Sequence, residues 1–129
     1  MSRPEELKYT RTHEWLKMDG EVAIVGITDF AVEQLSDLVF IDLPKVGDTL
    51  AKDARFGEVE STKTVSDLIA PVSGTVTEVN GILTEHPEIL NQSPFEKGWL
   101  IKVRMSKPEE VALLLSSADY QAQLDAEEE

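Results

Sequence analysis

The sequence predicts a mainly β fold, which is one β-sandwich with short helices at its periphery and a C-terminal helix. Apolar and polar residues alternate at strand period along most of the chain. Two similar turn frames flank a symmetric hairpin, and this arrangement favours a sandwich with approximate two-fold halves. The 129 residues, 41% of them apolar, contain no Ser-, Thr-, Gly- or Pro-rich linker, so we expect residues 1–129 to form a single domain with its own core.

The hairpin is centred on Lys63. Residues 56–60 and 64–68 place apolar residues among polar ones at near strand period. Residues 61–63 have the length of a hairpin connection. The pattern therefore predicts that Lys63 lies at or next to the tip.

The turn frames have the sequence Pro-x-x-Gly, in residues 44–47 and 71–74, and each precedes a short strand that contains threonine. Proline fixes φ and glycine accepts a positive φ, so both frames predict tight turns. We expect Gly74 to have a positive φ.

The N-terminal part of the chain predicts an edge strand at residues 7–10, followed by a hairpin of residues 12–16 and 21–26 around Asp19-Gly20.

A short helix and a further strand follow. Thr28 or Asp29 can cap a helix that ends at Leu35. Residues 37–43 then return to strand period. The alternation places Val39, Ile41 and Leu43 on one face and Leu38, Phe40 and Asp42 on the other.

Later segments predict strands at residues 74–79 and 99–105, with a helical or irregular excursion at 83–91 that is broken by a proline. Ser106 and Glu109 have the spacing of a capping box, which predicts a C-terminal helix. Its apolar stripe would be Val111, Leu114 and Leu115, with a second short helix from Ser117 and a frayed acidic tail at residues 127–129.

The net charge of −13 limits the classes of partner. Nucleic acids and anionic membranes require a basic face, so we expect neither as a partner. Acidity keeps a small protein soluble and also steers it toward basic patches on other proteins, and both interpretations stay open. The sequence has no apolar run near 18 residues and no recognisable signal or transit peptide, so we expect a cytoplasmic monomer.

The chain contains no cysteine, which excludes disulfides, thiolate nucleophiles and Cys-based metal sites. His13 and His86 lie in unrelated segments, and together with Glu14 they lack the spacing of a zinc or acid–base site. Nucleophile-elbow, Walker and dinucleotide-binding motifs are also missing from the sequence. We therefore expect no metal site and no catalytic residue, and we assign Trp15 and Trp99 to the core.

Lys63 has two interpretations. A lysine at a loop tip is usually a solvated surface residue. A nucleophilic role is disfavoured because Glu58, Glu60 and Asp67 lie close in sequence, and anions favour the protonated amine. An exposed lysine on a stiff, acidic hairpin is well suited to covalent modification by another enzyme.

Five co-linear motifs resemble the glycine cleavage system H proteins, in a match that runs from about Leu7 to Tyr120. The motifs are YTRTHEW (9–15), VGITDFA (25–31), GEVESTKTVSD (57–67), APVSG (70–74) and GWLIK (98–102).

This resemblance implies a lipoyl-domain-like fold, a barrel-sandwich hybrid, with lipoic acid in amide linkage on Lys63 after action of a lipoylating enzyme. A family member is a carrier and not an enzyme. It takes the aminomethyl group of glycine from the glycine decarboxylase (P protein) to the tetrahydrofolate-dependent aminomethyltransferase (T protein). Dihydrolipoamide dehydrogenase (L protein) then reoxidises it.

The resemblance also implies a cleft that protects the loaded arm, at Thr12, Glu14 and Asp67. Some family members have histidine where this chain has Gln34. Whether residue 34 contacts the arm in this chain is therefore an open question. Two other functions remain open at this stage. One is a lipoyl or octanoyl relay that supplies other lipoate-dependent enzymes through Lys63, and the other is an unmodified interaction module.

Overall fold

Two antiparallel sheets pack against each other in a computed structural model that describes residues 4–127. The larger sheet has the strand order β1-β2-β3-β9-β8-β5, and the smaller has the order β4-β6-β7. The strands are β1 Lys8–Tyr9, β2 Glu14–Asp19, β3 Val22–Ile27, β4 Leu38–Asp42, β5 Thr49–Leu50, β6 Arg55–Ser61, β7 Val65–Ile69, β8 Gly74–Val79 and β9 Ile101–Met105. The helices are α1 Asp29–Leu35, α2 Ile82–Glu85, α3 Glu88–Gln92 and α4 Ser117–Glu127, with a 3-10 helix at Pro108–Leu113. The predicted mainly β sandwich with peripheral helices and a C-terminal helix is confirmed.

One buried cluster joins the two sheets. Val25 and Val103 contribute to it from the larger sheet, and Val59 and Leu68 from the smaller one. These side chains are at most 1% exposed. Because each buried branched side chain contributes roughly 1.5–3 kcal/mol through the hydrophobic effect, the small sheet is firmly held against the large one.

The first hairpin forms one residue later than the sequence predicts. Asp19 pairs with Val22, so the turn consists of Gly20 and Glu21. Gly20 has φ +64°, a conformation that glycine adopts without steric cost. The predicted edge strand at residues 7–10 is confirmed as β1.

Trp15 is buried as predicted, with 1% exposure. Its indole Nε1 donates to the Pro94 carbonyl oxygen at 2.9 Å, which satisfies the one polar group of the ring. The ring lies over Gly26, where an added Cβ would come within 2.4 Å of it. Trp99 is only partly buried, and the Lys102 ammonium lies 5.0 Å from its ring centroid, which is a cation–π contact.

The predicted alternation in β4 is wrong. The register with β6 shifts between Leu38 and Phe40, which is a β-bulge. Leu38 and Ile41 are buried, whereas Val39 and Phe40 are 52% and 47% exposed. The extra residue at the bulge puts two apolar side chains on the outside of the sandwich.

The two Pro-x-x-Gly frames lead into strands that pair with each other, β5 with β8. Gly47 has φ +97°, as its frame predicts, but the expected positive φ of Gly74 is wrong. Gly74 is required for a different reason, because an added Cβ would lie 2.1 Å from the Arg104 carbonyl oxygen on β9. The approximate two-fold relation of the halves stays a prediction.

The observed helices agree only in part with those predicted from the sequence. Thr28, and not Asp29, caps α1, because its side chain accepts from the Ala31 N–H. The predicted capping box is wrong, since no side chain caps the 3-10 helix that follows Ser106. The regular C-terminal helix is α4, which begins at Ser117 and reaches Glu127, while residues 128–129 of the predicted tail lie outside the described residues.

No helix within residues 4–127 is long and apolar enough to cross a membrane.

We expect Gly74→Ala to destabilise the fold by about 1–3 kcal/mol, because the added methyl group meets a backbone oxygen that cannot move without breaking the β8–β9 ladder. Thermal unfolding followed by circular dichroism measures the effect. Gly81→Ala is the matched control, since a Cβ there has no neighbour within 4 Å. Equal melting temperatures for the two variants would contradict this account.

Candidate functional site

Lys63 lies at the exposed end of the β6–β7 hairpin, as predicted. The buried side chain of Ser61 holds the turn, because its Oγ accepts from the backbone N–H groups of Lys63 and Thr64, each at 3.1 Å. The Thr62 N–H donates to the Asp37 carbonyl oxygen at 3.1 Å, which ties the turn to the segment before β4. The lysine side chain therefore extends into solvent from a backbone that is fixed on both sides.

Three carboxylates form a row on the outer face of the small sheet. Asp42 pairs in register with Glu58, and Glu58 with Asp67. Like charges directly opposite each other repel, and Arg55 offsets this repulsion. Its guanidinium contacts Glu58, and its Nε donates to Asp67 Oδ1 at 3.1 Å. The hydrogen bond with Asp67 raises the pKa of Arg55 above its ordinary value, so the arginine stays charged.

Glu14 is a buried carboxyl group at the start of β2, with 1% exposure. The Thr10 and Thr12 hydroxyls both donate to its Oε1, the first at 2.7 Å. The Ile69 N–H donates to its Oε2 at 3.3 Å, across to the end of β7. Burial raises the pKa of Glu14 to about 7, and the hydrogen bonds from Thr12, Thr10 and Ile69 oppose this rise. Both protonation states of Glu14 are therefore accessible near neutral pH.

A cavity of about 420 Å³ is lined in part by Thr12, one of the hydrogen-bond donors to this carboxyl group. Three elements form its walls: the loop before β2, helix α1 and strand β7. Its lining combines apolar and hydrogen-bonding side chains and consists of Thr12, His13, Phe30, Ala31, Gln34, Leu35 and Ser66. Ser66 follows Lys63 by three positions, which span at most about 10 Å of extended chain. The cavity is thus within reach of a flexible group attached to the lysine.

The structure brings the predicted site residues together only in part. Thr12 and Glu14 are hydrogen-bonded to each other, and Gln34 lines the same cavity as Thr12. The Asp67 carboxylate instead pairs with Arg55 on the exposed face, where 62% of the Asp67 side chain is accessible.

Sequence reasoning missed three contributors to this region, Thr10, Arg55 and Ser61. Arg55 is the arginine nearest in sequence to the acidic hairpin residues, and this proximity was a usable signal. The hydrogen bonds of Thr10 and Ser61 depend on the geometry of the turns in which they lie. A threonine or a serine at these positions does not by itself predict them.

The two histidines belong to different environments. His13 Nδ1 lies 2.7 Å from the Tyr120 hydroxyl, and His86 Nδ1 lies 3.2 Å from Glu88 Oε2. Over residues 4–127, no group of three or more His, Cys, Asp or Glu side chains is placed to hold a metal ion.

A β-sandwich that presents one lysine on a stiff hairpin, beside a mixed apolar and polar cavity, has the form of a carrier domain. This class of domain holds a covalently attached group at a loop tip.

Comparison with known proteins gives consistent matches along nearly the whole chain. Residues 7–127 match the family described as "Glycine cleavage H-protein". The glycine cleavage system H protein of Carboxydothermus hydrogenoformans is 52% identical over 126 residues, which are 98% of this chain and 97% of that protein. The protein of the same name from Listeria monocytogenes is 50% identical over 125 residues, 97% of this chain and 100% of that protein.

The fold matches a solved structure equally well. The crystal structure of a glycine cleavage system H protein from Mycobacterium marinum matches with a TM-score of 0.88 and 42% sequence identity, covering 95% of this chain and 99% of that one. The chain belongs to the glycine cleavage H-protein family. The members of this family are lipoyl carriers of the glycine cleavage system, and the resemblance seen in the sequence motifs is confirmed.

We expect the pH dependence of stability to carry a contribution from Glu14. Its pKa is about 7 in the folded protein and 4.5 in the unfolded chain, so the folded state binds more protons between these values. The free energy of unfolding therefore falls as pH rises through this window. From pH 5 to pH 8 the wild type should lose about 2 kcal/mol relative to Glu14→Gln.

Chemical denaturation at a series of pH values measures this difference. Glu21→Gln, at an exposed position in the β2–β3 turn, is the control and should follow the wild type. Parallel pH profiles for the wild type and Glu14→Gln would contradict the assignment.

Proposed function

We propose that this chain is the lipoyl-bearing carrier of a glycine cleavage system, with lipoic acid in amide linkage on Lys63. The exposed position of Lys63 at the tip of a fixed hairpin is the observation that carries this proposal. The carrier takes the aminomethyl group of glycine from the glycine decarboxylase to the tetrahydrofolate-dependent aminomethyltransferase. Dihydrolipoamide dehydrogenase then reoxidises the lipoyl dithiol for another cycle. The chain itself acts as a substrate that these enzymes share.

The surroundings of other lysines support the choice of Lys63. The Lys52 ammonium pairs with Asp53, and that of Lys102 lies near Glu78 and over the ring of Trp99. Lys63 combines full access for a modifying enzyme with a backbone that Ser61 holds in place. A lipoylating enzyme needs both, since it must reach the amine and recognise a fixed shape around it.

The cavity next to the hairpin fits a lipoyl arm. Phe30, Ala31 and Leu35 offer apolar contacts for methylene groups, while Thr12 and Gln34 offer hydrogen bonds. The lipoyl dithiolane supplies the sulfur chemistry that a chain without cysteine lacks. Residues of the cavity wall would hold the arm and exclude water from its loaded end.

Thr12, Glu14 and Asp67 would stabilise a cationic amine at the end of the loaded arm. Glu14 is close to half-ionised near neutral pH, and a cation beside it favours the ionised form. Thr10 and Thr12 orient its carboxylate from one side. Asp67 would have to exchange part of its pairing with Arg55 for the amine, which costs little because the ion pair is exposed.

Partner recognition would use the acidic surface. The chain has a net charge of −13, and the carboxylate row of Asp42, Glu58 and Asp67 lies on the same sheet as Lys63. Basic patches around the active-site entrances of the decarboxylase, aminomethyltransferase, dehydrogenase and lipoylating enzymes would complement it. We expect the carrier to act as a cytoplasmic monomer. A lipoyl or octanoyl relay would use the same lysine, but no feature of the hairpin favours it over the glycine cleavage role.

Lys63→Arg should abolish lipoylation and all aminomethyl transfer while leaving the melting temperature unchanged, because the side chain is exposed and its charge is kept. Intact mass after incubation with a lipoylating enzyme measures the modification. Lys45→Arg, at another exposed turn, is the matched control and should gain the lipoyl mass normally. A lipoyl mass increment on Lys63→Arg would place the attachment elsewhere, and an unmodified wild type would favour the interaction module.

Asp67→Asn should shorten the lifetime of the aminomethyl-loaded carrier by about tenfold, since one charge-assisted hydrogen bond contributes about 1.5–3 kcal/mol. Release of ammonia and formaldehyde from isolated loaded protein reports this lifetime. Glu58→Gln is the control, because it removes the other carboxylate partner of Arg55 and leaves Asp67 in place. An unchanged lifetime in Asp67→Asn would remove Asp67 from the cleft.

A further inference from the structure

We infer that Tyr120, on the C-terminal helix α4, is a positioning residue that sets the separation of the two walls of the arm cavity. The inference rests on the proposed function, and it adds an element that is distant in sequence from the hairpin and from the cavity lining. The basis is one buried hydroxyl that lies within hydrogen-bond distance of both walls.

One wall is the loop that leads into β2, and its contribution to the cavity includes His13. This residue has φ +74°, in the left-handed region that non-glycine residues rarely adopt. Its backbone is bonded on both sides, because its N–H donates to the Thr10 carbonyl at 3.2 Å and its carbonyl accepts from the Thr28 N–H at 3.0 Å. The conformation is unfavourable in isolation, so the surrounding contacts maintain it.

The opposite wall is α1, which contributes Phe30, Ala31 and Gln34 to the cavity. The direction of this helix depends on its first turn. Thr28 caps that turn by accepting from the Ala31 N–H at 3.3 Å, and the Thr28 side chain is fully buried. A displacement of Thr28 would therefore move the residues that line the cavity.

Tyr120 connects these two walls. Its hydroxyl lies 2.7 Å from His13 Nδ1 and 2.7 Å from Thr28 Oγ1. A phenol has one proton and can also accept, so it can donate to one partner while accepting from the other. Tyr120 is 0% exposed, so both bonds are shielded from bulk solvent.

Aromatic packing fixes the position of this hydroxyl. The ring of Tyr120 stacks on that of Tyr9, with centroids 4.9 Å apart and an angle of 9° between the planes. The His13 ring meets Tyr120 edge-on at 5.7 Å and leans on Phe30 at 4.8 Å. The tyrosine, the histidine and the cavity wall at Phe30 thus form one continuous packed unit.

The test compares Tyr120→Phe with Tyr9→Phe, each of which removes a single hydroxyl from one member of the stacked pair. The Tyr9 hydroxyl donates to the Pro4 carbonyl oxygen at 2.7 Å and joins neither wall, so Tyr9→Phe is the matched control. Both variants keep the ring stack, and both should fold and accept lipoate at the wild-type rate.

Two measurements separate a positioning role from a merely structural one. In the unmodified protein, amide hydrogen exchange at Thr28 and Ala31 should become about fivefold faster in Tyr120→Phe and stay unchanged in Tyr9→Phe. In the loaded protein, the release of ammonia and formaldehyde should also become about fivefold faster in Tyr120→Phe alone.

Unchanged exchange in Tyr120→Phe would overturn the connection between the walls. Faster exchange with an unchanged release rate would overturn the positioning role. Equal changes in Tyr9→Phe would assign the effect to general loosening of the helix, which also overturns it. A wild-type carrier that accepts no aminomethyl group would contradict the proposed function instead, and the exchange rates of the unmodified protein would still decide whether Tyr120 joins the walls.

Discussion

The packing of the three-stranded sheet onto the six-stranded sheet is the constraint on which the rest of this protein depends. Strand β6 is the centre of the small sheet and buries Phe56 and Val59 in the shared core. A lysine can remain in solvent on a fixed backbone only if the strands that support it are anchored elsewhere. The apolar contacts between the sheets provide that anchor, and the bonds from Ser61 extend the rigidity to the tip.

The two carboxylates that the family resemblance assigns to one role differ in their electrostatics. Glu14 is buried, and burial raises its pKa to about 7, whereas Asp67 is exposed and paired with Arg55. Desolvation favours the neutral form of Glu14, whereas the Asp67 carboxylate is open to solvent and hydrogen-bonded by a guanidinium. Glu14 can therefore change its charge in response to a cation that approaches it near neutral pH.

Local patterns account for what the sequence predicts correctly. Strand period and turn residues identify the Lys63 hairpin, α1 and the final strand, because each depends on neighbours within about ten residues. The bulge in β4 and the close approach of Gly74 to Arg104 depend on a partner strand, so they could not be inferred from the segment alone. Ile69, a partner of Glu14, and Tyr120, a partner of His13, lie 55 and 107 residues away from them, and no spacing rule predicts such pairs.

The bonds of Tyr120 also set an order of assembly. Its partners Thr28 and His13 precede it by 92 and 107 residues, so these contacts carry the loop-closure entropy of almost the whole chain. The β6–β7 hairpin instead pairs residues within the segment 55–69, so its own closure carries a smaller entropy cost than the contacts of Tyr120. During synthesis Lys63 also precedes Tyr120, so the residue that joins the walls of the cavity is added after the lysine. In biosynthetic terms, the lysine becomes available first and the enclosure around its arm last.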